Sequence, residues 1–290
     1  MNNTFKSSDG INNIYNRVWT IDGTVKGIIV VVHGLGDHID NYDEFASFMK
    51  DDGYMIAGID LIGFGKSSEP NKLGHFENRK ETYTYFVKDL NTFIEQLKVQ
   101  YPNIPIYLLG FSFGSFVARL YANTYDNISG LILIGSAYIS PTFMSFAKFY
   151  ASYLAVGKGW EDRNVRLYKK TILNLNNNFQ DKSLPSWLNS NIKYLKEHLS
   201  DPYISTRLTI SGYYVLYDLI KRVNKNKYIS NIRKDLPILI LSGKDDPVTS
   251  FGDDVYMIDK IYKKNKLTNV KYKIYNNMRH DILKFLNENK

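Results

Sequence analysis

Unbroken apolar runs of strand length recur along the chain and alternate with longer segments of helical periodicity. The runs lie within residues 26–32, 54–59, 104–109, 131–134 and 236–241, and a further strand-like stretch, in which lysines separate apolar residues, occupies 270–275. Between them, apolar residues recur at helical spacing, for example Phe86, Leu90 and Phe93. Strands that are apolar throughout are buried on both faces, which is typical of a parallel sheet covered by helices. The pattern therefore predicts an α/β fold with a mostly parallel central sheet and helices on both faces.

This alternation of strands and helices is interrupted in the second half of the chain. The interrupted stretch contains helical and irregular segments but no clear buried strand. After it, strand-like sequence resumes, a helix is expected over 255–262, and a final helix is expected after His280. We therefore predict one core domain, formed by residues 1–137 and 226–290, into which residues 138–225 are inserted as a helical cap.

Composition narrows the function classes without selecting one. The chain of 290 residues carries 37 Lys and Arg against 29 Asp and Glu, a net charge of +8, and its basic residues are scattered. Scattered charge does not predict a nucleic-acid partner, although it allows transient contact with an anionic membrane surface. The absence of cysteine excludes disulfides, thiolate metal sites and a cysteine nucleophile. Because we find neither an apolar leader nor a run of about 18 apolar residues, we expect a cytoplasmic protein without a membrane span.

The segment GFSFG at residues 110–114 lies where an apolar strand passes directly into a helical segment. One interpretation is structural, since only glycine fits close to so tight a turn and the serine happens to lie there. The other is that the turn presents Ser112 as a nucleophile, as in the G-x-S-x-G pattern at strand-to-helix junctions. The dipole of the following helix favours negative charge that develops at this turn. The junction favours the second interpretation.

A serine hydroxyl needs a base to take its proton and an acid to orient that base. Of the five histidines, His280 follows the last predicted strand, where a loop at the carboxyl edge of the sheet would present it. Asp245 and Asp246 follow the strand over 236–241, and Asp246 fits better because the Gly-x-x-Asp spacing lets the chain turn first. The order Ser112, Asp246, His280 matches the nucleophile, acid and base order that accompanies G-x-S-x-G.

An acyl-transfer site also needs two hydrogen-bond donors for the oxyanion of the tetrahedral intermediate. The backbone N–H of Phe113, directly after the nucleophile, is the expected first donor. The N–H of Leu35, between two glycines in the loop after the first apolar strand, is the expected second donor. His33, at the start of the same loop, is expected to be a structural residue that fixes the loop by hydrogen bonds.

Other candidate sites gain no support from the sequence. The glycine-rich turn over 60–67 lacks the residue order of nucleotide-binding motifs. No His, Asp or Glu cluster has metal-ligand spacing, so we expect neither a metal nor a cofactor. Asp253 and Asp254 are expected in the first turn of a helix, where the helix dipole favours acidic residues.

Taken together, five segments resemble the α/β-hydrolase superfamily, and within it the monoacylglycerol lipase and lysophospholipase group of Hydrolase_4 or serine aminopeptidase S33 type. The segments are HGLGDH at 33–38, DLIGFGKS at 60–67, GFSFG at 110–114, GKDDPV at 243–248 and MRHDIL at 278–283. The resemblance implies the same site roles as above, with Ser112 as nucleophile, Asp246 as acid, His280 as base, and Leu35 and Phe113 as oxyanion donors. It also implies two-step acyl transfer through an acyl-enzyme.

The chain departs from the usual pattern of this family at three places. Asp37 stands where the family usually has Glu, and Phe113 stands where Met or Gln is frequent. The segment N-M-R-H-D at residues 277–281 replaces the more usual G-x-x-H-E. Because position 113 donates through its backbone, the first two departures leave the implied mechanism intact.

The beginning of the predicted cap is rich in aromatic residues, which we expect to line an acyl pocket. These residues are Phe143, Phe146, Phe149, Tyr150 and Tyr153. The alternative is that this face only attaches the cap to the sheet. An apolar cap and a basic exterior favour a lipid ester with one acyl chain, a monoacylglycerol or a lysophospholipid. A medium-chain carboxylesterase, a thioesterase, a peptidase of the same fold, and a catalytically inert binding module are the alternatives.

Overall fold

The structure, a computed structural model, describes residues 3–205 and 207–285. Its strands are Thr4–Lys6 (β1), Asn13–Trp19 (β2), Gly27–Val32 (β3), Tyr54–Ile59 (β4), Ile106–Phe111 (β5), Gly130–Ile134 (β6), Ile238–Gly243 (β7) and Val270–Tyr275 (β8). Its α-helices are Asp43–Asp51 (α1), Thr82–Gln100 (α2), Phe113–Thr124 (α3), Pro141–Lys158 (α4), Val165–Thr171 (α5), Ile192–Ser200 (α6), Ile210–Val223 (α7), Asn226–Ile229 (α8) and Asp253–Lys264 (α9). Short 3-10 helices include Leu173–Asn178, Pro247–Gly252 and Leu283–Phe285.

The strands form one sheet in the order β1-β2-β4-β3-β5-β6-β7-β8. Every neighbouring pair from β4 to β8 is parallel, whereas β1 with β2 and β2 with β4 are antiparallel. The predicted mostly parallel sheet is therefore confirmed. The two antiparallel strands were not predicted, because β2 alternates buried and half-buried residues and mixes polar with apolar side chains.

Both faces of the sheet are covered, which explains the unbroken apolar runs. Along β3, Ile28, Val30 and Val32 enter one buried cluster, which also contains residues of α2, α3 and α9. The intervening Ile29 and Val31 enter a second cluster, which contains residues of α1. Successive side chains of a strand point to opposite faces, so a strand buried on both sides must be apolar at every position.

The helices α4 to α7 lie between β6 and β7 in the chain. Among these helices, α4 and α7 pack against each other most extensively, and α7 also packs on α3 of the core. This arrangement agrees with a helical insertion, while its boundaries at residues 138 and 225 stay a prediction. After His280 the described residues contain the 3-10 helix Leu283–Phe285, and the rest of the helix predicted there falls outside the described residues.

A buried arginine joins the two points where the chain passes between the sheet and these helices. Arg119 of α3 is 2% exposed, and its guanidinium donates to the carbonyl oxygens of Ala137 and Val223 and to Oδ1 of Asn224. The Nδ2 of Asn224 in turn donates to the carbonyl oxygen of Ile139. A buried charge is costly unless its N–H groups are paired, so these bonds hold the two crossings together.

Candidate active site

The turn between β5 and α3 holds Ser112 in a strained backbone conformation. Its φ of 51° and ψ of −116° are unusual for a residue with a side chain, and such conformations cost about 1–3 kcal/mol. The surrounding backbone compensates, because the Ser112 N–H donates to the Ile134 carbonyl at 2.8 Å and the Ser112 carbonyl accepts from Ser115. Strain of this kind aims a side chain away from its own strand and helix.

The two glycines of the turn are required by close packing. A Cβ added to Gly114 would collide with the carbonyl oxygen of Val32, and one added to Gly110 would lie 2.5 Å from the carbonyl oxygen of Gly114. Both interpretations of the motif therefore apply, since the glycines provide space and the turn also presents the serine.

The structure brings Ser112, His280 and Asp246 into one hydrogen-bonded line. Nε2 of His280 lies 2.7 Å from Oγ of Ser112, and Nδ1 lies 2.8 Å from Oδ2 of Asp246. Asp246 is fully buried, and its other carboxylate oxygen accepts from the N–H of Val248. A carboxylate at Nδ1 keeps the proton on that nitrogen, so Nε2 is free to accept the proton of the serine hydroxyl. Asp245, the alternative acid, is exposed, and the carboxylate that is hydrogen-bonded to His280 is that of Asp246.

Two aromatic rings flank the imidazole, and the sequence did not indicate either of them. The ring centroids of Phe111 and Trp187 lie 5.1 and 5.3 Å from that of His280. Phe111 is the residue before the serine, and Trp187 belongs to the segment between β6 and β7. Only the fold brings residue 187 to the histidine, so its role had no local signal in the sequence.

The predicted oxyanion donors border the same cavity as the serine. Phe113 is the first residue of α3, so its N–H has no acceptor within the helix. Leu35 and Phe113 both line the cavity into which Ser112 opens. His33 is fully buried, and its Nδ1 lies 2.8 Å from the Gly34 carbonyl oxygen while Nε2 accepts from the Leu61 N–H. This confirms the predicted structural role of His33.

The cavity next to the serine has a volume of about 620 Å³. This volume lies within the ~300–1,000 Å³ typical of small-molecule sites. Its apolar wall includes residues of α3, α7, the segment over 168–188 and the loop after β6, namely Phe116, Tyr138, Ile139, Tyr168, Ile172, Leu175, Trp187, Leu188, Leu216 and Ile220. Fewer polar groups border the cavity, and they include Asp37, Asn176, His198, Arg207 and Asp254. Among residues 3–205 and 207–285, no group of His, Asp or Glu residues is arranged to hold a metal ion.

The profile of the Hydrolase_4 family, described as serine aminopeptidase, S33, matches residues 23–288 of the chain. The chain belongs to this family. The match spans the glycine-flanked Leu35, the Ser112 turn and the loops of Asp246 and His280.

Individual relatives agree with this assignment. Monoglyceride lipase of Mus musculus is 31% identical over 150 residues, which cover 49% of this chain and 45% of the mouse protein. A monoglyceride lipase homolog of Monkeypox virus is 22% identical over 276 residues, covering 95% of this chain and 89% of the viral protein. The crystal structure of a carboxyl esterase from Bacillus coagulans in complex with glycerol is similar at a TM-score of 0.85, with 27% identity over 96% of this chain and 90% of that chain. The chain thus matches less than half the length of the mouse protein, and the α/β-hydrolase fold is shown over nearly its whole length.

The aromatic residues of α4 do not line the cavity of this Hydrolase_4 protein, so that prediction was wrong. Four of the five are more than 60% exposed, namely Phe143, Phe146, Phe149 and Tyr153. The fifth, Tyr150, is half-buried, and its ring lies 5.4 Å from Nζ of Lys170. The small and flexible residues Met144, Ala151 and Ala155 occupy the buried side of the helix instead. Helical spacing shows that residues share a side, but it does not show which side faces the body of the protein.

Two titratable groups outside the triad also border the cavity. Asp254 lies in the first turn of α9 as predicted, and burial raises its pKa to about 6. His198 of α6 also lines the cavity, and burial lowers its pKa. Near neutral pH the cavity wall therefore holds a neutral imidazole and a carboxyl group that gains its proton below about pH 6.

Proposed function

We propose that this protein is a serine hydrolase that cleaves carboxylic esters of lipids with a single acyl chain, such as monoacylglycerols or lysophospholipids. The observation that carries the proposal is the hydrogen-bonded line from Asp246 through His280 to Ser112, which ends at a mostly apolar cavity. The mouse relative is named a monoglyceride lipase and the viral relative a monoglyceride lipase homolog, and these names support the same substrate class.

The proposed reaction has two steps. Oγ of Ser112 attacks the ester carbonyl as its proton passes to Nε2 of His280, and the N–H groups of Leu35 and Phe113 stabilise the resulting oxyanion. The imidazolium returns its proton to the leaving alcohol, which leaves the acyl group on Ser112. Water then attacks this ester with His280 again as base, and release of the fatty acid restores the hydroxyl. Asp246 keeps the imidazole in the required tautomer throughout.

The preference for acyl-chain length provides the test of the substrate class. We expect kcat/KM for p-nitrophenyl esters to rise at least about tenfold from the acetyl to the octanoyl ester, because each buried methylene is worth about 0.8 kcal/mol. Leu175→Trp places a larger side chain in the apolar wall and so narrows the cavity. We expect it to reduce the rate of hydrolysis of long esters and to leave the rate for the acetyl ester unchanged.

Three outcomes separate the candidates. A preference for the acetyl ester would replace the lipid substrate with a small ester while keeping the hydrolase. Failure of a fluorophosphonate to label the wild-type protein would contradict the serine mechanism and favour the inert binding module. Selective cleavage of peptide or thioester substrates over monoacylglycerol would move the proposal to those alternatives.

We also propose that the protein makes transient contact with an anionic lipid surface through the exposed side of α4. This aromatic face consists of Phe143, Phe146, Phe149, Tyr153 and Val156, which are between 62% and 90% exposed. Exposed apolar patches of this kind mark interaction sites. The chain from Pro141 to Lys158 contains two lysines and no acidic residue, and α5 adds Arg166, Lys169 and Lys170. Aromatic residues beside basic ones suit the boundary region of an anionic bilayer.

The aromatic face also lies close to the cavity along the chain. Tyr138 and Ile139, directly before α4, and Tyr168 and Thr171 of α5 line the cavity wall. A bilayer that held the outer side of α4 would therefore lie near the elements through which an acyl chain reaches Ser112.

Replacing Phe146, Phe149 and Tyr153 together with serine is expected to weaken binding to vesicles that contain phosphatidylserine by about tenfold or more, since part of each aromatic surface is lost from the bilayer. Sedimentation with vesicles measures the binding, and cleavage of a short soluble ester should stay unchanged. Val99→Ser removes an apolar side chain that is 84% exposed on α2 and serves as the matched control. Unchanged vesicle binding in the triple variant, or a dimer that the substitutions dissociate, would contradict contact with lipid.

A further inference from the structure

The loop of the catalytic histidine is bound by a segment that is distant in sequence. Residues 186–189, which lie between β6 and α6, run alongside residues 279–281. The N–H of His280 donates to the Trp187 carbonyl at 3.3 Å, and the N–H of Asp281 donates to the Leu188 carbonyl at 2.8 Å. These two neighbouring backbone bonds join the two stretches directly, although neither stretch forms a strand of the sheet.

Side chains complete this contact from both directions. Asn189 is fully buried, and its Nδ2 donates to the carbonyl oxygen of Asp281 at 3.0 Å. Its Oδ1 accepts from the N–H of Asn191 at 2.8 Å, which fixes the orientation of the amide. In return, the guanidinium of Arg279 donates to the carbonyl oxygens of Ser186 and Asn189. The residues before and after His280 are thus each tied to the 186–189 segment.

The sheet supports the histidine loop from one side only. β8 is the edge strand and pairs with β7 alone. On the β7 side the loop passes so close to Gly243 that an added Cβ there would collide with the carbonyl oxygens of Met278 and Arg279. The N–H of Asp245 donates to the Met278 carbonyl on that side as well. On the other side, no strand of residues 3–205 and 207–285 neighbours β8. The loop is contacted there by residues 186–189, by the hydroxyl of Tyr194, which donates to Oδ2 of Asp281 at 2.7 Å, and by the ring of Phe179, which lies 4.6 Å from the Arg279 guanidinium.

We propose that Asn189 is a positioning residue for the base, which sets the place of the His280 ring through its bond to the Asp281 carbonyl. This inference rests on the proposed function. The Nε2 of His280 must stay within hydrogen-bond reach of Ser112 while Nδ1 keeps its bond to Asp246, and a displacement of about 1 Å can cost about a hundredfold in rate. The segment over 186–189 is therefore a structural part of the reaction site. If it moved away from residues 279–281, His280 would lose the hydrogen bonds that hold its loop in place.

Replacing Asn189 with leucine, which has the same branching at Cγ and no hydrogen-bonding group, tests this role. We expect kcat for a medium-chain ester to fall by about 10- to 100-fold while KM changes by less than about threefold. The limb of the pH–kcat/KM profile that reports the base should also shift, because the histidine would sit differently against Asp246. Asn189→Asp keeps the acceptor for the Asn191 N–H but replaces the donor, so we expect the same direction of change.

The control separates positioning from general loss of stability. Asn224→Leu removes another buried amide whose Nδ2 donates to a backbone carbonyl, at the C-terminal end of α7. We expect this variant to lose thermal stability and to keep the wild-type kcat and pH profile per folded molecule, as counted by fluorophosphonate titration. Equal pH profiles and equal kcat in the Asn189 and Asn224 variants would show that Asn189 is only structural.

A second variant keeps the inference testable if Asn189→Leu does not fold. Arg279→Gln removes the bonds to Ser186 and Asn189 from the other direction and should lower kcat with the same shift of the pH profile. A wild-type kcat and profile in this variant and in Asn189→Asp would overturn the inference. An unreactive wild-type protein would instead contradict the proposed function and, with it, a role of Asn189 in positioning a base.

Discussion

Ser112→Ala is expected to abolish labelling by a fluorophosphonate and to lower kcat for ester hydrolysis by about 10⁴- to 10⁶-fold. The physical reason is that Oγ of Ser112 lies 2.7 Å from the imidazole and is the atom that would become acylated. Residual hydrolysis should remain above the uncatalysed rate, because the oxyanion donors and the cavity are still present. Rates with p-nitrophenyl octanoate and gel detection of the probe measure both effects.

A serine on α4 supplies the control for this substitution. Ser152→Ala removes a half-buried hydroxyl that donates to a carbonyl within α4, and it should leave labelling and kcat unchanged. Thermal unfolding of Ser112→Ala should occur at or above the wild-type temperature, since alanine has no hydroxyl to bury. Full labelling of Ser112→Ala would assign the nucleophile to another residue.

Asp246→Asn is expected to lower kcat by about 10⁴-fold while the protein stays folded, as in other triads whose acid becomes an amide. An amide at this place would donate to Nδ1 of His280 and move the imidazole proton to Nε2. That nitrogen could then no longer accept the serine proton, although the distances of the triad would be retained. Ester hydrolysis and circular dichroism together measure the loss of rate and the retained fold.

Asp245→Asn is the matched comparison, because Asp245 is the neighbouring residue and is exposed. We expect it to change kcat by less than about twofold, as a surface substitution away from the reacting atoms. A large loss in Asp245→Asn with a small loss in Asp246→Asn would reverse the assignment of the acid. Equal activity of both variants and the wild type would mean that the histidine needs no carboxylate.

The core of the fold was predictable because burial on both faces leaves a strong local pattern. The strand Tyr54–Ile59 lies at the residues that its apolar run predicts. Val270–Tyr275 also lies at the predicted residues, although lysines interrupt it and only Val270 is buried. The strand before the serine is shifted by two residues, from 104–109 to Ile106–Phe111. β1 and β2 were missed, because β1 is three residues long and β2 mixes polar and apolar residues at one edge of the sheet.

The three residues of the proposed triad were predictable for a different reason. Ser112, Asp246 and His280 follow β5, β7 and β8, and the carboxyl ends of parallel strands lie at the same edge of the sheet. A candidate residue directly after such a strand is therefore near the others whatever the sequence distance. The side chains that support them had no comparable signal, since Trp187 and Asn189 follow no strand and reach His280 only through the packing of the 186–189 segment.

The amino-acid order alone determined the parallel sheet, the strained glycine-flanked turn and the identities of the residues at the strand ends, because these depend on contacts with near neighbours or on a regular repeat. The tertiary structure decided which side of α4 faces solvent and which distant segment supports the histidine. Phe146 and Phe149 obey the same helical spacing whether they face the cavity or the solvent. The direction is set by the packing of α4 on α7, which leaves Met144 and Ala151 on the buried side of α4. Such choices are made by packing between elements, and a pattern within one element does not contain them.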